Sequence, residues 1–214
     1  MKGTTLIFYW IFYIVFPVVL FSQDRTFSGA ILSGVSLSQL SGDDANGFFQ
    51  PGIKLGGLIR LNEFKNDFYF STGFFWHQKG ARRFLSVSNT SDYNLRLNYI
   101  DLPFYFNYRL NDFIPFVGLS ANFLFDSREL TSFGEQVDRP FRFFELSLNA
   151  GLNYRLSEKF SVYASYSNSI TPIRAHDPNY LLPVPTAVWQ EVHQFFLNKG
   201  QYISLLSIGL IFEL

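Results

Sequence analysis

The chain has 214 residues, 20% aromatic and only 16% charged, with 17 basic and 17 acidic side chains and no cysteine. That balance excludes a disulfide-stapled scaffold, a disordered chain of low hydrophobicity and high net charge, and a basic nucleic-acid binder. Several membrane helices would need repeated apolar runs of roughly 18 residues or more, for which a mean hydropathy of +0.09 is too low. Aromatic-rich β structure remains, either soluble or in a membrane.

In chain order, the first feature is an apolar run from Leu6 to Phe21, interrupted by Pro17, after a lone Lys2 and before the polar Ser22-Gln23-Asp24-Arg25. This pattern predicts a secretory signal peptide over residues 1–22, with the mature domain spanning 23–214. The competing reading is a retained anchor helix, for which the run is short. A chain without cysteine suits passage through an oxidising periplasm.

From Phe27 onward the hydrophobic period is two. Phe27, Ile31, Val35 and Leu37 share one face, followed by Phe49, Pro51, Ile53, Leu55, Gly57, Ile59 and Leu61. Next come Phe68, Phe70, Phe74 and Trp76, then Ile100 to Tyr108, Phe113 to Phe125, Phe144 to Tyr154, Phe160 to Tyr166, and Tyr202 to Leu214. Alternation of this kind marks strands with two unlike faces. The eight predicted strands mostly reach ten or more residues, where soluble strands average five or six and membrane strands need roughly nine to eleven. Pro103 cannot donate to a ladder, so a bulge or kink is expected there.

The links alternate in length. Short ones are Asn62 to Asp67, Leu110 to Asp112 and Ser157 to Lys159. Long ones are Gln39 to Gly47, Lys79 to Asn94, Ser127 to Pro140 and Pro172 to Gly200. Short periplasmic turns and long external loops are the habit of outer-membrane barrels. The expected fold is an all-β, eight-stranded antiparallel up-and-down transmembrane β-barrel in the outer membrane of a Gram-negative bacterium. An even strand number puts both termini in the periplasm. Its outward aromatics fall into two girdles: Phe68, Tyr108, Phe113, Tyr154, Phe160 and Phe212 at the short-turn end, and Phe49, Trp76, Phe125, Phe144 and Tyr202 at the long-loop end. From Phe144 to Tyr154 is about 25 Å of membrane height, the expected depth of the apolar band.

The segment Asn98-Tyr99-Ile100-Asp101-Leu102-Pro103-Phe104 resembles a strand of the PorT-like outer-membrane β-barrel (porin) family of Bacteroidetes. So do Ser41-Gly42-Asp43-Asp44 with Gly47-Phe48 and Pro51-Gly52, Gln78-Lys79-Gly80, and the turn Tyr154 to Phe160. The resemblance implies an eight-stranded outer-membrane barrel and, through the member that gives the family its name, a link to type IX protein secretion. The chain departs from many outer-membrane proteins by ending on Leu214 rather than an aromatic, with Phe212 nearby.

An eight-stranded barrel is just wide enough for its own side chains. The inward face is predicted to carry Lys54, Arg60, His77, Arg96, Asp101, Asn107, Asn122, Glu145, Asn149, Asn153 and Arg155. Charges in so narrow a space must pair. This favours a structural network that plugs the lumen over an ion path. In the last external segment, prolines at 172, 178, 183 and 185 give way to Thr186, a helix cap, and to Val188, Val192 and Phe195 at helical spacing up to Gly200. A short helix is expected there. Trp189 and Phe196 add apolar surface, which either packs on the barrel mouth or docks a protein partner or lipid.

His77, His176 and His193 show neither a nucleophile's spacing nor metal-ligand spacing. Asp43-Asp44-Ala45-Asn46-Gly47 lacks the later glutamate of a calcium loop and suits a hairpin connection. No cofactor, metal site or catalytic residue is expected. The functional expectation is a non-enzymatic barrel, embedded in outer-membrane lipid, that binds or scaffolds through its external loops. The alternatives are an accessory part of a type IX-like secretion or envelope-biogenesis machine and a narrow small-solute channel.

Overall fold

The computed structural model describes residues 27–41, 47–61, 67–83, 92–132, 134–135, 140–175 and 200–214. Ten strands follow in chain order: β1 (Phe27–Ser41), β2 (Gln50–Leu61), β3 (Phe68–Arg83), β4 (Tyr93–Tyr108), β5 (Phe113–Thr131), β6 (Gly134–Glu135), β7 (Phe144–Arg155), β8 (Phe160–Ser169), β9 (Arg174–Ala175) and β10 (Gly200–Glu213). The two-residue strands β6 and β9 decorate β5 and β10. The other eight pair antiparallel in sequence order, and β1 pairs with β10 from Ala30↔Glu213 to Ser41↔Tyr202. The sheet therefore closes into an up-and-down barrel with no free edge.

The predicted alternation survives over the wall below the row Trp76–Ile100–Phe123. Val35, Ile53, Phe74, Phe104, Val117, Leu148, Tyr166 and Ile208 lie exposed on the outside, while Ser36, Lys54, Phe75, Tyr105, Glu145, Ser167 and Ser207 are buried inside. At the short-turn end the girdle aromatics form direct cross-strand pairs. Phe68 stands opposite Tyr108, Phe113 opposite Tyr154 and Phe160 opposite Phe212, with ring centroids 4.4, 4.8 and 5.2 Å apart. Such pairs each add about 0.5–1.5 kcal/mol beyond area burial. The hairpin joining β4 and β5 closes with reciprocal Leu110–Phe113 backbone bonds, and Asn111 takes the left-handed φ of 55° that so tight a turn demands.

The long-loop end differs from expectation. Strands β1, β3, β4 and β5 run past their predicted limits to Ser41, to Arg83, from Tyr93 and to Thr131. In this upper zone the polarity of the wall inverts. Inward positions are apolar: Leu40, Ala81, Tyr93, Leu95, Leu97, Tyr99, Ile203 and Leu205 form one buried cluster. Outward positions are polar, and Gln78, Asn98 and Asp126 form a cross-strand ladder with N–H···O distances of 3.5 and 2.8 Å. The change falls between the row Trp76–Ile100–Phe123 and the row Gln78–Asn98–Asp126. Lipid-type patterning stops there and water-type patterning begins.

The irregularity expected at Pro103 takes the form of a gap without a register shift: the β3–β4 ladder stops at Thr72–Phe104 and resumes at Phe75–Asp101. Pro103 keeps its register with Ser120, and Thr72 Oγ1 donates to its carbonyl at 2.8 Å. The register shift lies instead between Asn98 and Tyr99 against β5, where Asn98 pairs with Asp126 and Tyr99 with Leu124. The extra residue is Phe125, which is exposed. An extra residue reverses which β5 positions face inward, so Asn122 points into the lumen below the bulge and Glu129 does so above it.

Candidate functional site

Six strands aim polar side chains at one level of the lumen: Ser36 (β1), Lys54 (β2), His77 and Lys79 (β3), Asp101 (β4), Asn122 (β5), and Glu145 with Ser147 (β7). Register places them together, since Lys54 pairs with His77, Asp101 with Asn122, and Asn122 with Glu145. Lys79 Nζ lies 3.3 Å from Asp101 Oδ1 and 3.7 Å from Glu145 Oε2, and 4.6 Å above the Tyr99 ring. His77 Nδ1 donates to Asp101 Oδ2 at 2.8 Å, and Nε2 is 3.2 Å from the Ser36 hydroxyl. With its amide oriented to suit its neighbours, Asn122 donates to Asp101 Oδ1 and accepts from Ser147 and Lys79. All of these side chains are buried. The contacts of Lys79 with Asp101 and Glu145 answer the desolvation cost that each charge alone would carry.

Below this layer, Ala30, Leu32, Leu58, Phe75, Tyr163 and Ile211 pack as a second apolar cluster. Beneath it, Arg60 pairs with Glu213, and Asn107 donates to Ser71 Oγ at 2.9 Å. Asn149 donates to Ser120 Oγ at 2.9 Å, while Asn153 is buried and Arg155 half-buried. Above the charged layer sits the upper apolar cluster, into which Ile173 descends from the segment after β8. Backbone bonds hold that segment: Arg142 N donates to the Ile173 carbonyl at 2.7 Å, and Ile173 N to the Gln201 carbonyl at 2.9 Å. The neighbouring Arg174 forks onto Glu129 at 3.2 and 2.5 Å and stacks on Phe141 at 3.7 Å, while Tyr93 donates to the same carboxylate at 2.8 Å. The mouth is thus closed by a buried, bidentate ion pair. Among the described residues, apolar and charged layers alternate along the lumen.

Of the predicted inward set, the structure places Lys54, His77, Asp101, Asn107, Asn122, Glu145, Asn149 and Asn153 buried inside, with Arg60 and Arg155 half-buried. Arg96 is corrected. It is exposed on the outer face, because β4 turns its odd-numbered residues inward from Tyr93 to Asn107. Of the girdle, Phe49, Phe113, Phe125, Phe144, Tyr154, Phe160 and Phe212 are exposed, and Phe68, Trp76 and Tyr108 are half-buried. Tyr202 is corrected too: it is only 2% exposed and presents no ring to lipid. Val188, Trp189, Val192, Phe195 and Phe196, and the helix expected to carry them, lie outside the described residues. Lys79, Glu129 and Arg174 were missed because all three were assigned to loops. The inverted alternation Asn94-Leu95-Arg96-Leu97-Asn98-Tyr99 is the signal that could have extended the strands.

The chain Ser36–His77–Asp101 has the bond order of a nucleophile, base and orienter. Ser36, however, is 2% exposed inside a buried layer. No group of three or more metal-binding side chains occurs among the described residues.

Comparison with known proteins agrees with this architecture. No curated protein matches the chain. Solved structures similar to it include Ail, the attachment invasion locus protein of Yersinia pestis (15% identity, 88% of this chain and 99% of that chain, TM-score 0.47), determined in complex with the heparin analogue sucrose octasulfate. They also include Neisserial surface protein A (13%, 88% and 99%, 0.48) and CarO2 of Acinetobacter baumannii (11%, 90% and 100%, 0.50). At this identity the likeness to CarO2 concerns the fold alone. Residues 22–180 match the family described as outer membrane protein beta-barrel domain. The chain belongs to that family, an outer-membrane β-barrel set in lipid.

Proposed function

We propose that this protein is a non-enzymatic barrel that works through the loops at its long-loop end, with its lumen permanently plugged. The observation that carries this reading is the layered interior, in which the Lys79–Asp101–Glu145 layer lies between two apolar clusters and the Arg174–Glu129 pair spans the mouth. A conducting path would need continuous water, and the two apolar layers break it. The loops then face outward, both termini lie in the periplasm, and residues 1–22 are removed on export. The finer kinship is PorT-like, supported by the Asn98 to Phe104 segment.

Planar-bilayer recording tests the plug: the wild-type protein is expected to show no discrete conductance, and reproducible unitary steps would overturn the reading. Deleting Pro185 to Asn198 tests the loops. The shortened barrel is expected to keep heat-modifiable gel migration while losing its captured partner. Retention of every partner would overturn the loop assignment, and a stable multiprotein complex would favour a secretion-machine role.

A further inference from the structure

Lys54 is the odd member of the charged layer. It is 6% exposed, and among the described residues no carboxylate lies within ion-pair distance of its ammonium group, Asp101 acting on it only from further off. Asp101 is taken by His77 and Lys79, and Glu145 lies beside Lys79. The Lys54 ammonium rests 4.8 Å over the Phe75 ring and lines a cavity of about 20 Å³. Arg60, Asn153, Tyr163 and Ser165 line the same cavity. The Tyr163 hydroxyl is also buried without a hydrogen-bond partner. It stands 2.3 Å from where a Cβ at Gly34 would project, and Gly34 is the register partner of Lys54. Two cations therefore border the cavity, Lys54 and Arg60, and among the described residues only Arg60 has a carboxylate in contact, Glu213.

Both orphan groups can donate, and the volume admits one water-sized species. A buried ammonium with no carboxylate in direct contact is costly, and a monatomic anion meets size, charge and donor count together. We propose that this cavity is a halide site, in which Lys54 Nζ and Tyr163 Oη donate to one chloride held inside the lower lumen.

Crystals grown in bromide test it by anomalous diffraction. A single bromide peak touching Lys54 Nζ is expected in the wild type and none in Lys54→Met. A cavity holding only water, or a peak unchanged in Lys54→Met, would overturn the proposal. In solution, replacing gluconate by chloride at constant ionic strength should raise the urea midpoint of the wild-type barrel. The same replacement should leave Lys54→Met unmoved, and an equal rise in both would overturn the site. Should Lys54→Met fail to assemble, Tyr163→Phe decides. Loss of one donor to the anion should weaken chloride binding roughly tenfold, and unchanged chloride dependence counts against the proposal.

Discussion

The two zones of this barrel wall use one backbone pattern with opposite polarity. In the lower zone, Val35, Ile53, Leu148 and Ile208 face outward and the charges turn in. In the upper zone, Asn98, Asp126 and Arg128 face outward while Leu95, Leu97, Ile203 and Leu205 turn in. Antiparallel pairing runs through both zones, interrupted beside Pro103 in the lower one and bulged at Asn98–Tyr99 where they meet, so pairing does not set the polarity of the wall. The solvent outside does. Lipid leaves the polar groups nowhere to go but the lumen, whereas water lets apolar side chains gather inside as in any soluble core.

The largest effect should come from breaking the charged layer. Lys79→Met removes the cation that Asp101 and Glu145 share and leaves two buried carboxylates facing each other. A loss of about 3–5 kcal/mol in reversible urea unfolding is expected. A loss under about 1 kcal/mol would show that the layer is hydrated and the lower zone is not plugged.

Leu97→Ala probes the upper zone. Leu97 is fully buried, and truncation should cost about 3 kcal/mol through lost burial and a cavity. A negligible cost would mean that the upper lumen is open rather than a packed core.

One substitution at two heights sharpens the comparison most directly. Lysine at Ile208, on the apolar outer band, should cost about 2–4 kcal/mol in lipid. Lysine at Asn98, on the polar ladder above it, should change stability by no more than about 0.5 kcal/mol. Equal costs at the two positions would erase the boundary drawn between Ile100 and Asn98.

The smallest effect is expected at the rim. Phe160→Ala removes one member of the Phe160–Phe212 pair and should cost about 0.5–1.5 kcal/mol beyond its lost burial. A double-mutant cycle with Phe212→Ala would isolate that coupling, and additive costs would show that the two rings act separately.

The sequence by itself determined the barrel, because a strand in lipid must show one apolar face for its whole crossing, and that constraint is local and period-two. It also placed Lys54, His77, Asp101 and Glu145 inside, since each falls between outward apolar neighbours. Only the tertiary structure decided which charges meet. Contacts across the lumen depend on register between strands distant in the chain, as when Lys79 reaches both Asp101 and Glu145. Arg96 was misplaced because lipid patterning was carried past the height at which the outer solvent becomes water. Glu129 was missed because the strand was ended at Phe125, and the bulge there gives the residues beyond it a facing that the lower alternation does not announce. The pairing of Glu129 with Arg174 joins the end of β5 to the segment after β8, a contact no periodicity encodes. A single sequence records which solvent each face meets; the fold alone records which buried charges answer one another.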